Sequence, residues 1–95
     1  MRVHWTNNAI KKLSLIYNYI APNSTTYAQR TVDRLTRRSK QIASFPKSGR
    51  IVPEYQDPDI REVLERPYRI IYRLKPNQVD ILTVVHSAQT LPSTL

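Results

Sequence analysis

The spacing of apolar residues changes character once along this chain. From residue 10 to about residue 44 they recur at helical intervals, and from residue 60 to residue 86 they alternate or run together as in strands. Ahead of both, Arg2-Val3-His4-Trp5 reads as a short opening strand. Thr6 or Asn7 then offers a side-chain oxygen to cap a helix. In that helix Ile10, Leu13, Tyr17 and Ile20 share one face. Pro22-Asn23 ends it, and Asn23 or Ser24 caps a second helix that runs to about Ser44, with Ala28, Val32, Leu35 and Ile42 as its apolar side. Two helices joined by so short a turn form an antiparallel hairpin.

Pro46, Gly49, Pro53 and Pro58 mark the stretch from Phe45 to about Asp59 as irregular. Three strands follow. The first covers Ile60 to Glu65. The second covers Tyr68 to Leu74, with Tyr68, Ile70, Tyr72 and Leu74 on one face and Arg69, Ile71 and Arg73 on the other. Lys75-Pro76-Asn77-Gln78 makes a turn with proline at its second position. The third strand, Val79 to His86, is apolar on both faces (Val79, Ile81 and Val85 against Leu82 and Val84), as in a well-covered strand. The order β-α-α-β-β-β implies an α+β domain, a helical hairpin on one face of a mainly antiparallel, twisted sheet. No helix is left for the second face, which is expected to meet solvent or a partner. The tail from about residue 90 has no clear period and is expected to fray. At 95 residues the whole chain fits one domain.

Charge sharpens this picture. Lys and Arg number 15 against 7 Asp and Glu, a net charge of +8, which favours a polyanionic or acidic partner. Arg30, Arg34, Arg37, Arg38 and Lys40 crowd the polar faces of the second helix, where Asp33 is the lone acid. Asp33 can pair with Arg37 one turn on, a contribution of about 0.3–0.5 kcal/mol. Arg50 lies in the irregular stretch, and Arg61, Arg69 and Arg73 lie on strands. Guanidinium forks at these positions suit phosphate oxygens. The competing expectation is ion pairing with Glu62, Glu65 or a partner's carboxylates, with Arg69 and Arg73 turned toward that partner. Trp5 is expected in the core beside the helices, and His4 to be inert.

The chain has no cysteine, which excludes disulfides and thiolate metal sites and points to a reducing cytoplasm. The single glycine, Gly49, excludes glycine-rich phosphate loops. No metal, small-molecule cofactor or membrane partner is expected: no apolar run approaches a membrane span, no zinc or helix-turn-helix pattern occurs, and the N-terminus enters a strand pattern rather than a signal peptide.

In their order and spacing, several segments resemble the RelE/ParE superfamily of toxins from bacterial type II toxin–antitoxin systems. These are Phe45-Pro46 followed by Gly49-Arg50, Ile60-Arg61-Glu62, Tyr68-Arg69-Ile70-Ile71-Tyr72-Arg73, and Val84-Val85-His86 closing the last strand. The likeness covers nearly the whole chain. It implies a toxin held inactive by a cognate antitoxin, an acidic or amphipathic segment wrapping the helices and sheet.

Members of that superfamily differ in target. RelE-like toxins cleave mRNA in the ribosome, while ParE-like toxins poison DNA gyrase. Metal-free RNA cleavage needs a base for the 2′-hydroxyl, an acid for the leaving oxygen and cations for the phosphorane. The resemblance implies that a nuclease would draw these from Lys, Arg and a C-terminal Tyr, or from Glu, Arg and a His-Tyr pair. After His86 this chain has no Lys, Arg or Tyr, and His86 is followed by Ser87. The sequence therefore favours a ParE-like gyrase inhibitor that works by binding, with Arg30, Arg34, Arg37, Arg38, Arg50, Arg61, Arg69 and Arg73 as partner contacts. The alternative is a ribosome-dependent nuclease built from His86 with Arg61, Arg69 or Arg73. A third reading is a non-toxic nucleic-acid-binding module.

Overall fold

A computed structural model describes residues 1–87, 89–93 and 95 of this chain. Its elements are β1 (Arg2–Trp5), α1 (Asn7–Ile20), α2 (Thr25–Ser44), β2 (Arg50–Ile51), β3 (Ile60–Glu65), β4 (Tyr68–Lys75) and β5 (Gln78–His86). The strands form one sheet in the order β1-β5-β4-β3-β2, with β1 parallel to β5 and the remaining pairs antiparallel. The two helices pack on one face of it. This is the expected α+β architecture, with β2 added. That strand is only Arg50 and Ile51, both exposed, so no alternation announces it within a proline-punctuated stretch.

Thr6 sets the start and the rotation of α1. Its hydroxyl oxygen accepts from the Ala9 amide at 3.2 Å and donates to the Ile81 carbonyl at 2.8 Å, tying the helix start to β5. The inward face is consequently Ala9, Leu13 and Ile16. Ile10, expected inside, is 50% exposed. Ser24 caps α2 by accepting from the Tyr27 amide at 3.0 Å. The buried side of α2 is Ala28, Thr31, Leu35, Ser39 and Ile42, so two polar residues share the core that an apolar count assigned to Val32. Both are satisfied: the Thr31 hydroxyl donates to the Tyr27 carbonyl at 2.9 Å, and Ser39 Oγ accepts from Trp5 Nε1 at 3.2 Å.

On β4, Tyr68, Ile70, Tyr72 and Leu74 turn to the helices, as the alternation requires, and Ile71 turns away. A bulge interrupts the β4–β5 ladder. Ile71 pairs with Thr83 and Tyr72 with Ile81, leaving Leu82 unmatched. The extra residue resets the parity of β5. Val79, Ile81 and Val84 all face the helices and Val85 faces away, which corrects the grouping of Val85 with Val79 and Ile81.

The second sheet face is not left to solvent. Val52, Ile60, Ile71, Val85 and Leu91 form a second buried cluster with Tyr55 packed against it. The segment between β2 and β3 and the C-terminal tail thus cover what no helix covers. In the tail, Leu91 is buried, and the Tyr55 hydroxyl donates to the Pro92 carbonyl at 2.7 Å.

Candidate functional site

The arginines divide into internal and external groups. Arg69 stands on the covered face of β4, opposite Leu64 of β3, so Glu62 is its diagonal neighbour. Its Nε donates to Glu62 Oε1 at 2.5 Å, and its two terminal nitrogens donate to the Glu54 carboxylate at 3.2 and 3.3 Å. Arg50 Nε donates to the second oxygen of Glu62 at 2.7 Å. The Glu62 side chain is fully buried, and burying a carboxylate is costly unless it is paired and hydrogen-bonded in this way. The hydrogen bond from Arg69 holds the Glu54 carboxyl below its ordinary range, and the bond to Glu62 raises the Arg69 guanidinium. Arg69 is only 7% exposed. Its Nε is taken by Glu62, as one of the two sequence readings had it, and its terminal nitrogens by Glu54.

Arg61 also works inward. Its guanidinium donates to the carbonyls of Lys47, Gly49 and Pro58 at 3.3, 3.0 and 3.2 Å, binding the irregular stretch to β3. Tyr72 secures the same stretch: its hydroxyl donates to the Pro46 carbonyl at 2.6 Å and accepts from the Gly49 amide at 3.1 Å. A Cβ at position 49 would meet the Tyr72 hydroxyl and stand 2.6 Å from the Glu62 carbonyl, so only glycine fits. The Phe45-Pro46 and Gly49-Arg50 signature is thus an anchoring device. Arg73 reaches Asp57 at 3.5 Å between half-exposed groups, a weak contact. Arg50, though bound to Glu62, is 64% exposed.

Helix α2 carries the external group. Glu65 of β3 lies 3.2 Å from Arg34 Nε and 3.8 Å from Arg38 Nε. The Asp33–Arg37 pair does not form; Asp33 accepts from Gln29 Nε2 at 2.9 Å instead. Arg30 and Arg37 are exposed, and among the described residues neither has an ion-pair partner.

His86 closes β5 on the helix side of the sheet. Its ring meets Tyr68 edge-on at 5.8 Å, and its backbone amide donates to Gln89 Oε1 at 2.7 Å. Beside it a groove of 430 Å³ runs between α1 and the sheet, lined by Leu15, Ile16, Tyr19, Tyr68, Val84 and His86. Leu15 and Tyr19 are 53% and 84% exposed. The sequence reading passed over these two because they lie off the helical stripe it counted; an apolar pair outside the buried face was the available signal. The proposed nuclease set does not converge. Tyr68 is the register partner of His86, and Arg73 lies five residues further along β4, about 17 Å away at ~3.3 Å per residue. Arg69 and Arg73 also project from the opposite face, and Arg61 is bound to carbonyls.

Among the described residues no group of three His, Cys, Asp or Glu is placed to hold a metal, and no helix is long and apolar enough to cross a membrane.

Comparison with known proteins agrees with this architecture. Toxin RelE2 of Caulobacter vibrioides is 33% identical over 89 residues, covering 93% of this chain and 97% of that protein. Protein Y4kP of Sinorhizobium fredii is 34% identical over 96 residues, covering 99% and 96%. The solved chromosomal ParDE toxin–antitoxin system from P. aeruginosa superposes with a TM-score of 0.75 at 26% identity, over 90% of this chain and 95% of that one. The family model of the ParE toxin of the type II toxin–antitoxin system parDE matches residues 3–91, and the chain belongs to that family of toxins.

Proposed function

We propose that this toxin acts by binding rather than by cutting RNA, that its target is DNA gyrase, and that a cognate antitoxin neutralises it. The observation that carries the first part is the use of the arginines. Transition-state stabilisation of a phosphorane requires cations aimed at one point beside an acid and a base. Here Arg69 is held by Glu62 and Glu54, Arg61 by three carbonyls, and His86 stands on the other side of the sheet from Arg69 and Arg73. Family membership and the absence of Lys, Arg and Tyr after His86 support gyrase over the ribosome. For the antitoxin, the groove beside α1 offers Leu15 and Tyr19 as apolar anchors within a chain of net charge +8, which suits an amphipathic segment carrying acidic residues.

The test is a gyrase supercoiling assay with purified toxin. ATP-dependent supercoiling of relaxed plasmid is expected to fall with toxin concentration and to recover when equimolar antitoxin is added. Undiminished supercoiling at a large molar excess of toxin over gyrase refutes the gyrase assignment.

A further inference from the structure

We infer that the outer face of α2 is a docking surface for the phosphate backbone of double-stranded DNA, independent of any protein target. Arg30, Arg34, Arg37 and Arg38 fall at positions i, i+4, i+7 and i+8, so they share one side of the helix, turned away from Ala28, Leu35 and Ile42. Glu65 and Asp33 are the carboxylates near them: Arg34 and Arg38 both lean on Glu65, and Asp33 accepts from Gln29 Nε2 at 2.9 Å. Two acids cannot neutralise four guanidinium groups, and Arg30 and Arg37 have no ion-pair partner among the described residues.

The surface has donors to spare and room for an acceptor. Arg34 also donates to the Arg66 carbonyl at 3.2 Å and Arg38 to Gln41 Oε1 at 3.0 Å, while the exposed forks of Arg30 and Arg37 stay open to an outside acceptor. A cleft of 110 Å³ opens between Arg34, Arg37, Arg38, Gln41 and Glu65. That is room for three or four waters at ~30 Å³ each, enough for a phosphate group with its oxygens on the guanidinium forks.

The chemistry favours nucleic acid over a protein. A protein docking surface draws its affinity from buried apolar or aromatic anchors. The outward positions of α2 between residues 29 and 41 hold Gln, Arg, Asp and Lys and no apolar residue; Tyr27, 52% exposed at the start of the helix, is the aromatic on this side, and the apolar pair Leu15 and Tyr19 sits on α1. An arginine-rich stripe with one aromatic at its end and no apolar cluster has the composition of a phosphate-backbone contact, where charge and bidentate hydrogen bonds do the binding. From Arg30 to Arg38 the stripe spans about 12 Å of helix axis, along which B-DNA presents about seven phosphates. Each arginine can meet one.

The experiment measures anisotropy of a fluorescent DNA duplex of about two helical turns with the toxin alone, without gyrase, from low to high salt. Wild-type toxin is expected to bind with a plot of log K against log salt of slope about −3, as for three to four phosphate contacts. Arg30→Gln with Arg37→Gln, both at exposed positions, is expected to flatten that slope by about 2 and to weaken binding at least about tenfold at low salt. Lys11→Gln with Lys47→Gln removes the same charge from exposed sites elsewhere and is expected to leave most of the binding intact. The assignment is overturned if the control pair weakens binding as much as the arginine pair, since the effect is then diffuse charge. It is overturned equally if the duplex does not bind at low salt, if an RNA duplex binds at least tenfold better, or if an acidic peptide displaces the DNA at equal charge concentration. Because gyrase is absent, a negative result here leaves the supercoiling assay to decide the target separately.

Discussion

Replacing Arg69 by alanine separates an internal arginine from a partner-facing one. The substitution strips the 2.5 Å contact from Glu62, whose side chain is fully buried, and both contacts from Glu54. Breaking a buried ion pair by removing one member costs about 3–5 kcal/mol, because the other charge stays desolvated. Arg50 still holds the second Glu62 oxygen at 2.7 Å, which places the expected loss near the lower bound, about 3 kcal/mol. In a domain of this size each kcal/mol moves the melting temperature by about 4–8 °C, so Tm is expected to fall by about 12–24 °C. Thermal melts followed by circular dichroism, with urea titrations for ΔG, measure it. Arg69→Met is expected to lose a similar amount, and adding Glu62→Leu to it removes both charges and is expected to recover most of that loss, which a double-mutant cycle on these two substitutions reports as coupling. If Arg69→Ala melts within about 2 °C of wild type, a change under ~0.5 kcal/mol, Arg69 is not the partner Glu62 depends on and the internal network is refuted.

Other expectations follow from the same contacts. Tyr72→Phe removes the hydroxyl that bridges Pro46 and Gly49 and is expected to cost about 1–3 kcal/mol in urea unfolding, with the overall fold retained. Gly49→Ala forces a Cβ against the Tyr72 hydroxyl and the Glu62 carbonyl and is expected to destabilise by about 1–3 kcal/mol; a second change, Tyr72→Phe, should relieve part of that loss if the hydroxyl is the obstacle. For pH, Glu54 is held below its ordinary 4.5 by Arg69, and Asp80, which burial pushes up, is held below its ordinary 3.8 by hydrogen bonds from Lys75 and Gln78. Carboxyls depressed in the folded state contribute stability that is present above their unfolded values and lost as pH falls through the folded ones. Lys75→Met is therefore expected to start acid unfolding at a higher pH than wild type, as followed by fluorescence of Trp5; an unchanged acid transition contradicts the assignment.

Much of the fold was legible because its elements announce themselves locally. Thr6 and Ser24 cap helices as their side chains allow, Pro76-Asn77 turns β4 into β5, and the alternation from Tyr68 to Leu74 places each face of β4 correctly. What stayed hidden depends on contacts distant in sequence. The bulge at Leu82 resets β5 and is visible only from the β4 register. The covering of the second face by Tyr55 and Leu91 needs the tail to return over the sheet, which no period encodes. The site was less legible for a related reason. Arginine on a strand reads the same whether its fork meets phosphate or a buried glutamate, and only the register across β3 brings Glu62 under Arg69.

The claim that this toxin binds gyrase and does not cut RNA is tested most directly by comparing wild-type toxin with His86→Ala in two parallel reactions. One is gyrase supercoiling of relaxed plasmid; the other is translating ribosomes with mRNA 5′-ends mapped. The expected result is equal inhibition of supercoiling by both proteins and no new 5′-ends with either. Codon-phased cuts that appear with wild type and vanish with His86→Ala, while supercoiling proceeds untouched, contradict it.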